Sequence, residues 1–369
     1  MDLDPREWTI SHDFAFVSGG AEWVTRCLSE LVLPGAPVRF IGADDDVVRH
    51  FGVPRGPDLL GALPVTRWNH RWLAPLYPVL LRRARPAAGH LLASSYAFCH
   101  VVPSTGMKVV YCHSPLRHAW SGAAMYTKGG SLPVRMATRL LGGYFRHADQ
   151  RAAESVTAFI ATSRAVRDRI HLAYGVADAP IVPPPFDERV FTFDADAVRD
   201  GFLWVGRIAE PYKRLSLAIE VMRDMPNKTL TVVGEGRDRA RLQRTAPSNV
   251  RFLGWRSAHD LVDLYRSSEG LFFPGEDDFG IVPVEAMACG TPVIAYRAGG
   301  ALDTVEEGFS GVFFDTPSVE SLGQAIKELL AQDWDHAEVA SRTSQVYSRL
   351  AFQQRMTDTL RGVVGDRDR

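Results

Sequence analysis

Three features that the chain lacks narrow the classes of protein to which it can belong. No apolar run in its 369 residues reaches the length of about 18 that spans a membrane. A formal net charge of −1 argues against a general nucleic-acid binder, which needs a basic surface. The four cysteines, at positions 27, 99, 112 and 289, lie far apart without a C-x-x-C pair, which argues against structural zinc and against a disulfide framework.

The N-terminal sequence MDLDPREWTI has neither a basic leader nor an apolar signal core, so we expect a cytoplasmic protein. A hydrophobic content of 46% with 23% charged residues is ordinary for a globular protein with a sizeable core. The length predicts two or three domains. No short-period repeat or low-complexity segment interrupts the chain.

Short apolar runs alternate with helical patterns, which predicts parallel α/β architecture. The predicted strands of the first half are 8–12, 38–42, 90–94, 108–112 and 158–162, and those of the second half are 202–206, 229–234, 250–254, 270–274 and 292–296. Between the halves lies IVPPPFDERVF (181–191), whose consecutive prolines predict a stiff linker. We therefore expect Rossmann-like domains at 1–185 and 186–345, a ligand cleft between them, and a C-terminal helix at 346–369 that crosses back to the first domain.

The segment PGEDDFGIVPVEAMACGT (274–291) is the most informative about function. Pro283 suits the first position of a short helix and Gly290 the residue after its end, so we predict a helix over 283–289. Its free N–H groups would point toward the glycine turn and attract an anion, most often a phosphate. Asp277 and Glu285, one on each side of that turn, can accept hydrogen bonds from hydroxyl groups. Phosphate beside several hydroxyls describes a sugar nucleotide.

Seven motifs, in the same order along both halves, resemble those of retaining glycosyltransferases of the GT-B fold. They are SHDFAFVSGGAEW (11–23), VVYCHSPLRHAW (109–120), AFIATSRAVRDRI (158–170), the proline segment, VGRIAEPYKR (205–214), VVGEG (232–236) and the segment 274–291. More narrowly, the chain resembles glycosyltransferase family 4 and its bacterial mannosyltransferase-like branch. The resemblance covers nearly the whole chain and implies a nucleoside diphosphate sugar, best matched by GDP-mannose, as the donor, with no required metal or other cofactor.

In the resembling family, the equivalents of Arg207 and Lys213 stabilise the negative charge that grows on the leaving diphosphate. We expect Arg214, next to them, to be a surface residue. Glu285 matches the glutamate that binds the nucleotide ribose. Asp277 stands where the family usually has a glutamate that contacts the donor sugar, and its side chain is one carbon shorter, which leaves the sugar contact open.

Further residues of the donor and sugar sites are implied by the same resemblance. Backbone N–H groups from Phe279 through Gly280 to Ile281 would bind hydroxyls and phosphate. The loop ending in Gly19 and Gly20 would lie near the diphosphate, because glycine permits close backbone approach there. His113 would contact the donor sugar near its reacting carbon. Gly254 belongs to the segment 250–255 expected to face the base, and the acceptor pocket could include positions 117, 118 and 120.

Several alternatives stay open at this point. The run Asp44-Asp45-Asp46 resembles a metal-binding D-x-D motif but lacks its context, so we interpret it as a solvated turn. The aromatic and basic segment 67–86 is compatible with peripheral membrane contact or with ordinary helices over the first sheet. The main interpretation is glycosyl transfer to a glycan, lipid-linked or secondary-metabolite acceptor. Two alternatives also fit the sequence. One is a sugar-nucleotide epimerase or hydrolase of the same fold, and the other is a catalytically silent sugar-nucleotide-binding subunit.

Overall fold

A computed structural model describes residues 3–17, 19–61, 63–116, 119–120 and 132–367. The chain divides into two compact units. The N-terminal unit comprises Met1–Pro183 together with Phe352–Arg369, and the C-terminal unit comprises Pro184–Ala351.

The N-terminal unit is built on a five-stranded parallel sheet of order β2-β1-β3-β4-β5. Its strands are β1 (Trp8–Ala15), β2 (Val38–Ala43), β3 (His90–Ser95), β4 (Lys108–Cys112) and β5 (Ala158–Ala161). These strands are almost continuously buried, as in a parallel sheet covered on both faces.

Helices alternate with these strands along the chain. They are α1 (Gly20–Cys27), which continues as a π-helical turn (Leu28–Val32), α2 (Asp45–Phe51), α3 (His70–Leu73), α4 (Tyr77–Arg82), α5 (Leu132–Ala153) and α6 (Arg164–Tyr174), with 3₁₀ turns at Pro5–Glu7, Ala74–Leu76 and Cys99–Val101. The last helix, α14 (Arg349–Arg367), begins in the C-terminal unit and belongs to the N-terminal unit from Phe352 onward. Its Phe352, Met356 and Leu360 are buried in the same core as Trp8 and Ile10 of β1.

The C-terminal unit contains a six-stranded parallel sheet of order β11-β10-β9-β6-β7-β8. Its strands are β6 (Phe202–Val205), β7 (Leu230–Val233), β8 (Val250–Gly254), β9 (Gly270–Phe273), β10 (Val293–Tyr296) and β11 (Gly311–Phe314). The sequence interpretation missed β11. All four of its residues are buried, and it pairs with β10 from Val293↔Gly311 onward, so tertiary pairing rather than a long apolar run defines this edge strand.

The helices of the C-terminal unit are α7 (Leu215–Val221), α8 (Arg239–Thr245), α9 (Ala258–Arg266), α10 (Ile281–Ala288), α11 (Ala301–Thr304), α12 (Val319–Ala331) and α13 (His336–Tyr347), with a 3₁₀ turn at Met222–Asp224. The predicted helix over 283–289 is wrong at its start. Helix α10 begins two residues earlier because Gly280, at φ +89°, forms the cap in a left-handed conformation. Gly290, at φ +79°, follows the end as predicted.

The proline segment, predicted to be a stiff linker, contains the boundary between the units, and its Phe186 and Phe191 are buried in the core of the C-terminal unit. The acidic run at 44–46 is not a turn. Asp44 precedes α2 and the next two aspartates occupy its first turn, where negative charge complements the helix dipole.

The described residues contain no group of three or more histidine, cysteine, aspartate or glutamate side chains arranged to hold a metal ion. Across the same residues, no helix combines the length and apolar character needed to cross a membrane.

Candidate functional site

The C-terminal sheet has a topological switch point between β6 and β9. From β6 the chain proceeds to β7 and β8 on one side, whereas β9, β10 and β11 lie on the other. Loops leaving the carboxyl ends of the two central strands therefore diverge, and in open α/β sheets ligands bind in the crevice that this divergence creates. The motif at 205–214 follows β6 and the acidic segment from 274 follows β9, so the structure brings both predicted motifs to this point.

An ion pair joins the two loops across the switch point. Lys213 Nζ donates to Asp277 Oδ2 at 2.6 Å, and the two side chains are only 19% and 16% exposed. The backbone N–H of Lys213 donates to the carbonyl of Ala209 at 3.0 Å, which fixes the turn that carries the lysine. The lysine is thus held in one place by its own loop and by the aspartate.

The two arginines of this loop have different environments. Arg207 is exposed, and no described residue forms a hydrogen bond or ion pair with its guanidinium. Arg214 was expected at the surface, but it is partly buried, donates from Nη1 to the carbonyl of Pro274 at 3.1 Å and lies 4.3 Å from the centre of the Tyr296 ring. Arg214 therefore connects the loop after β6 to the loop after β9 and to the end of β10. Arg207 is available to a ligand.

A pair of glycines after β10 supports the acidic loop. The N–H of Gly300 donates to the carbonyl of Asp277 at 2.9 Å. A Cβ added at Gly300 would lie 2.2 Å from the carbonyl oxygen of Phe279, and one at Gly299 would lie 2.4 Å from that of Asp277. Side chains at either position would displace the loop. Sequence reasoning missed this support, although two adjacent glycines directly after a strand were a visible signal.

The N-terminus of α10 faces the same region. Gly280 caps the helix, and no described residue accepts a hydrogen bond from the N–H groups of Gly280, Ile281 or Val282. The Phe279 side chain is buried and its ring centre lies 5.8 Å from that of Tyr347, so the aromatic residue anchors the loop from below. Free N–H groups at a helix N-terminus favour an anionic ligand.

Glu285 projects from the second turn of α10. Its Oε2 accepts a hydrogen bond of 2.9 Å from the hydroxyl of Tyr265 on α9. Burial raises the pKa of Glu285 to about 7, although the tyrosine hydrogen bond opposes that shift. No described residue donates to Oε1, so this oxygen can accept a hydrogen bond from a ligand hydroxyl. Tyr265 was not predicted, because nothing in its local sequence distinguishes it from a core tyrosine.

Gly254 ends β8 at φ +75° and its carbonyl accepts a hydrogen bond of 2.9 Å from the N–H of Gly234. The positive φ favours a glycine here, and a Cβ at this position would lie 2.9 Å from Glu235 Oε1. Trp255 beside it is 69% exposed. The segment expected to face a base thus combines close-packed backbone with one exposed aromatic ring.

The N-terminal sheet has its own switch point, between β1 and β3. Gly19 is the N-cap of α1 and Gly20 its first residue. A Cβ at Gly19 would approach Glu22 Oε2 to 2.8 Å, so a larger residue there would shift the end of that flexible side chain. Asp13 on β1 accepts four backbone hydrogen bonds of 2.6–2.8 Å from residues 96–99 and so orders the loop after β3.

His113, directly after β4, lies in a polar network that sequence reasoning did not find. Its Nε2 is 2.9 Å from Ser94 Oγ, and the Thr25 hydroxyl donates to that same oxygen at 2.9 Å and lies 2.9 Å from His12 Nδ1. Burial, reinforced by His12, lowers the pKa of His113 to about 3, so its imidazole is neutral near pH 7. The hydrogen bonds of this network fix the orientation of the His113 imidazole, and the ring remains neutral.

The suggested acceptor-pocket residues are only partly accounted for. Positions 117 and 118 lie outside the described residues. Trp120 Nε1 donates to Asp149 Oδ2 at 2.8 Å, and that oxygen also accepts from the Tyr174 hydroxyl. Trp120 thus takes part in a buried hydrogen-bond network of the N-terminal unit.

Comparison of whole chains shows the class to which this architecture belongs. The chain is similar to sucrose-phosphate synthase from Thermosynechococcus elongatus, with a TM-score of 0.71 at 18% identity over 97% of this chain and 100% of that one. It is also similar to Anabaena Alr3699/HepE in complex with UDP-glucose, with a TM-score of 0.70 at 18% identity over 96% and 99% of the two chains. The two parallel-sheet α/β domains have the GT-B fold.

Sequence similarity to known proteins covers a smaller part of the chain than structural similarity does. Residues 196–346, within the C-terminal unit, match the family model described as glycosyl transferases group 1. The chain is 32% identical over 209 residues to a GDP-mannose-dependent alpha-mannosyltransferase of Mycolicibacterium smegmatis, covering 55% of each protein. It is 28% identical over 214 residues to a D-inositol 3-phosphate glycosyltransferase of Corynebacterium jeikeium, covering 50% of this chain and 48% of the relative. The matches span about half the length of these curated relatives.

Proposed function

We propose that this protein is a retaining glycosyltransferase of family 4 that transfers a sugar from a nucleoside diphosphate sugar to a hydroxyl acceptor. The observation that carries the proposal is the arrangement at the β6/β9 switch point. An unpaired Arg207, the Lys213–Asp277 pair and the free N–H groups of α10 meet there at the ends of neighbouring strands. Cations and backbone donors together suit a diphosphate.

The two cations act on the leaving group. As the glycosidic bond breaks, negative charge grows on the diphosphate, and Arg207 and Lys213 stabilise that charge more than the ground state. Lys213 is already positioned by Asp277 before the donor arrives. Asp277 then has two tasks in our proposal, to orient the lysine and to accept a hydrogen bond from a hydroxyl of the donor sugar.

Glu285 and Gly254 recognise the nucleoside in this proposal. The Glu285 carboxylate, oriented by Tyr265, accepts hydrogen bonds from the ribose hydroxyls through the oxygen that the tyrosine leaves open. Gly254 allows the base to approach the backbone at the end of β8. The mannosyltransferase relative supports GDP-mannose as the first donor to test.

In the N-terminal unit, we assign His113 to the transferred sugar and Gly19 and Gly20 to the diphosphate and acceptor. A neutral imidazole orients a sugar hydroxyl by a hydrogen bond and does not act as an acid. The Thr25 hydroxyl has two acceptors, Ser94 Oγ and the carbonyl of Ala21. When the Ser94 hydroxyl donates to Nε2, the imidazole proton is on Nδ1 and can serve the sugar. We infer displacement on one face of the sugar, with the departing phosphate taking the proton of the acceptor hydroxyl.

Peripheral contact with a membrane is part of the proposal because an apolar surface is exposed on the N-terminal unit. Trp68 and Trp72 are 83% and 85% exposed, and Leu76 and Leu140 also face solvent. The two sequence regions are adjacent, since the hydroxyl of Tyr144 on α5 donates to the carbonyl of Pro75 at 2.9 Å. Exposed aromatic rings among arginines are typical of surfaces that dock on anionic lipid.

The function is tested by screening nucleotide sugars, GDP-mannose and UDP-glucose first, for binding by calorimetry and for turnover with hydroxyl acceptors. We expect one donor to bind and to be transferred with retained anomeric configuration, read by NMR. Arg207→Ala should lower kcat by about 100-fold or more, whereas Arg244→Ala, at an exposed arginine of α8, should leave it unchanged. Failure of every nucleotide sugar to bind would refute the proposal, and turnover by hydrolysis alone would favour a hydrolase.

A further inference from the structure

A polar cavity lies at the amino-terminal edge of the N-terminal sheet. Its volume is about 290 Å³, and its lining includes Arg82, Lys108, Arg151, Ser104 and Ser155. Lys108 is the first residue of β4, whereas His113 follows the last. The cavity is therefore at the opposite end of the strand from the residue assigned to the sugar.

Lys108 is an unusual residue to bury. Lys108 is only 4% exposed, and its Nζ donates to Ser155 Oγ at 2.9 Å. That hydroxyl in turn donates to the carbonyl of Ala152 at 2.8 Å. No carboxylate of a described residue forms an ion pair with the ammonium, and burial lowers its pKa to about 8, so it remains largely charged at pH 7. A buried cation without a counter-charge is costly unless an anion completes the site.

Two more cations flank the same cavity. Arg82 ends α4 and Arg151 lies in the last turn of α5, and neither forms an ion pair with a described residue. Positive charge at helix C-termini complements the helix dipole, which accounts for the two arginines individually. It does not account for Lys108, which starts a strand. The convergence of all three cations on one cavity is what an anion-binding site requires; the hydroxyls of Ser104 and Ser155 donate to backbone carbonyls and take no part in it.

We propose that this cavity binds a phosphate group, held by Lys108, Arg82 and Arg151, at a site separate from the donor site of the C-terminal unit. The volume corresponds to that of roughly ten water molecules, which accommodates a phosphate monoester or the headgroup of an anionic lipid. Both sources present the same chemistry to the three cations. The proposal goes beyond glycosyl transfer, since it does not depend on any residue assigned to the donor.

The test uses the full chain carrying Arg207→Ala, so that phosphate bound at the donor site contributes little. Inorganic phosphate and sn-glycerol 3-phosphate are titrated by calorimetry, and vesicles of phosphatidylcholine with or without phosphatidic acid are tested by co-sedimentation. The cavity variant is R82Q/R151Q. Its matched control is R83Q/R146Q, which removes the same charge from neighbouring exposed positions of the chain outside the cavity lining.

We expect the cavity variant to bind at least one of these phosphate probes about tenfold or more weakly than its control. Binding of the soluble phosphates identifies a free ligand, and binding of the phosphatidic acid vesicles alone identifies a lipid headgroup. Lys108→Met should also abolish binding while raising the melting temperature, because it removes a buried charge and retains the length of the side chain. Equal affinities of the cavity variant and the control for every probe, or no binding by either, would overturn the proposal.

Discussion

Replacing Glu285 by glutamine should make the unliganded protein more stable and the donor complex weaker. The carboxyl of Glu285 is held in protein surroundings that raise its pKa to about 7 from an ordinary 4.5. Glutamine has the same shape and can still accept the Tyr265 hydrogen bond, but it carries no charge to desolvate. The variant therefore removes the cost of the charge while retaining the packing.

The pKa of Glu285 sets the size and the pH window of this effect. Below the unfolded-state value of 4.5 the residue is protonated in both states and costs nothing. Between 4.5 and 7 the unfolded state releases its proton first, so the wild type loses stability as the pH rises through the folded-state value. The full difference is about 3 kcal/mol as an upper limit, which corresponds to a rise of several degrees in the melting temperature of the variant.

The assay is thermal unfolding of wild type and Glu285→Gln at pH 5 and pH 8, followed by calorimetric titration with the donor. We expect the stability advantage of the variant to be larger at pH 8. Its donor affinity should fall about tenfold to a hundredfold, since a neutral amide replaces a charged acceptor. Tyr265→Phe serves as the control, because loss of the hydroxyl raises the pKa of Glu285 further and should destabilise the protein at pH 8.

An advantage that is the same at pH 5 and pH 8 would contradict a raised pKa of Glu285. A variant that is more stable at pH 8 but binds the donor normally would separate the raised pKa of Glu285 from its proposed role in binding the ribose. The electrostatic account of Glu285 would stand, and its assignment to the ribose would be wrong.

Three further results are expected. Gly300→Ala should destabilise the C-terminal unit by about 1–3 kcal/mol and weaken donor binding, because its Cβ would collide with the Phe279 backbone. Gly142→Ala, whose Cβ would have no atom within 4 Å, should instead stabilise the protein by about 0.5–1 kcal/mol in thermal unfolding. His113→Ala should lower turnover without changing the shape of the pH–rate profile between pH 5 and 8, because the histidine is neutral throughout that range; disappearance of a titration near pH 6.5 in the variant would contradict this. Replacing both Trp68 and Trp72 by alanine should reduce co-sedimentation with anionic vesicles, and Trp255→Ala, an equally aromatic exposed control, should not.

The sequence predicted the sheets well because parallel strands that are buried on both faces consist of continuous apolar runs. Ten of the strands coincide with predicted runs to within about three residues, and the fold class followed from their alternation with helices. The strand at 311–314 was missed although the equally short edge strand at 158–161 was predicted, so its length alone does not explain the omission. The start of α10 was misplaced because the proline rule competed with a glycine whose left-handed conformation sets the boundary.

The candidate site was predictable only where its residues follow strands within recognisable motifs. Arg207, Lys213, Asp277 and Glu285 could be placed from the sequence in this way. Tyr265 could not, since its contact with Glu285 joins positions 20 residues apart on different helices. Likewise, the Thr25–Ser94–His113 network joins residues from one helix and two strand ends, and no linear spacing encodes it.

The resembling family usually has a glutamate at the position of Asp277, and the proposed donor site offers a physical reason for the shorter side chain. Its carboxylate already forms a 2.6 Å ion pair with Lys213 in partly buried surroundings, and the loop that carries it is fixed by Gly299 and Gly300. A glutamate would extend about 1.5 Å further from the same backbone and would have to move either the lysine or its own chain. The shorter residue thus keeps Lys213 oriented toward the switch point while Arg207 remains unpaired. In the proposed donor site, a diphosphate would meet one cation that is free and one that is already in position, so little ordering entropy would be lost on binding.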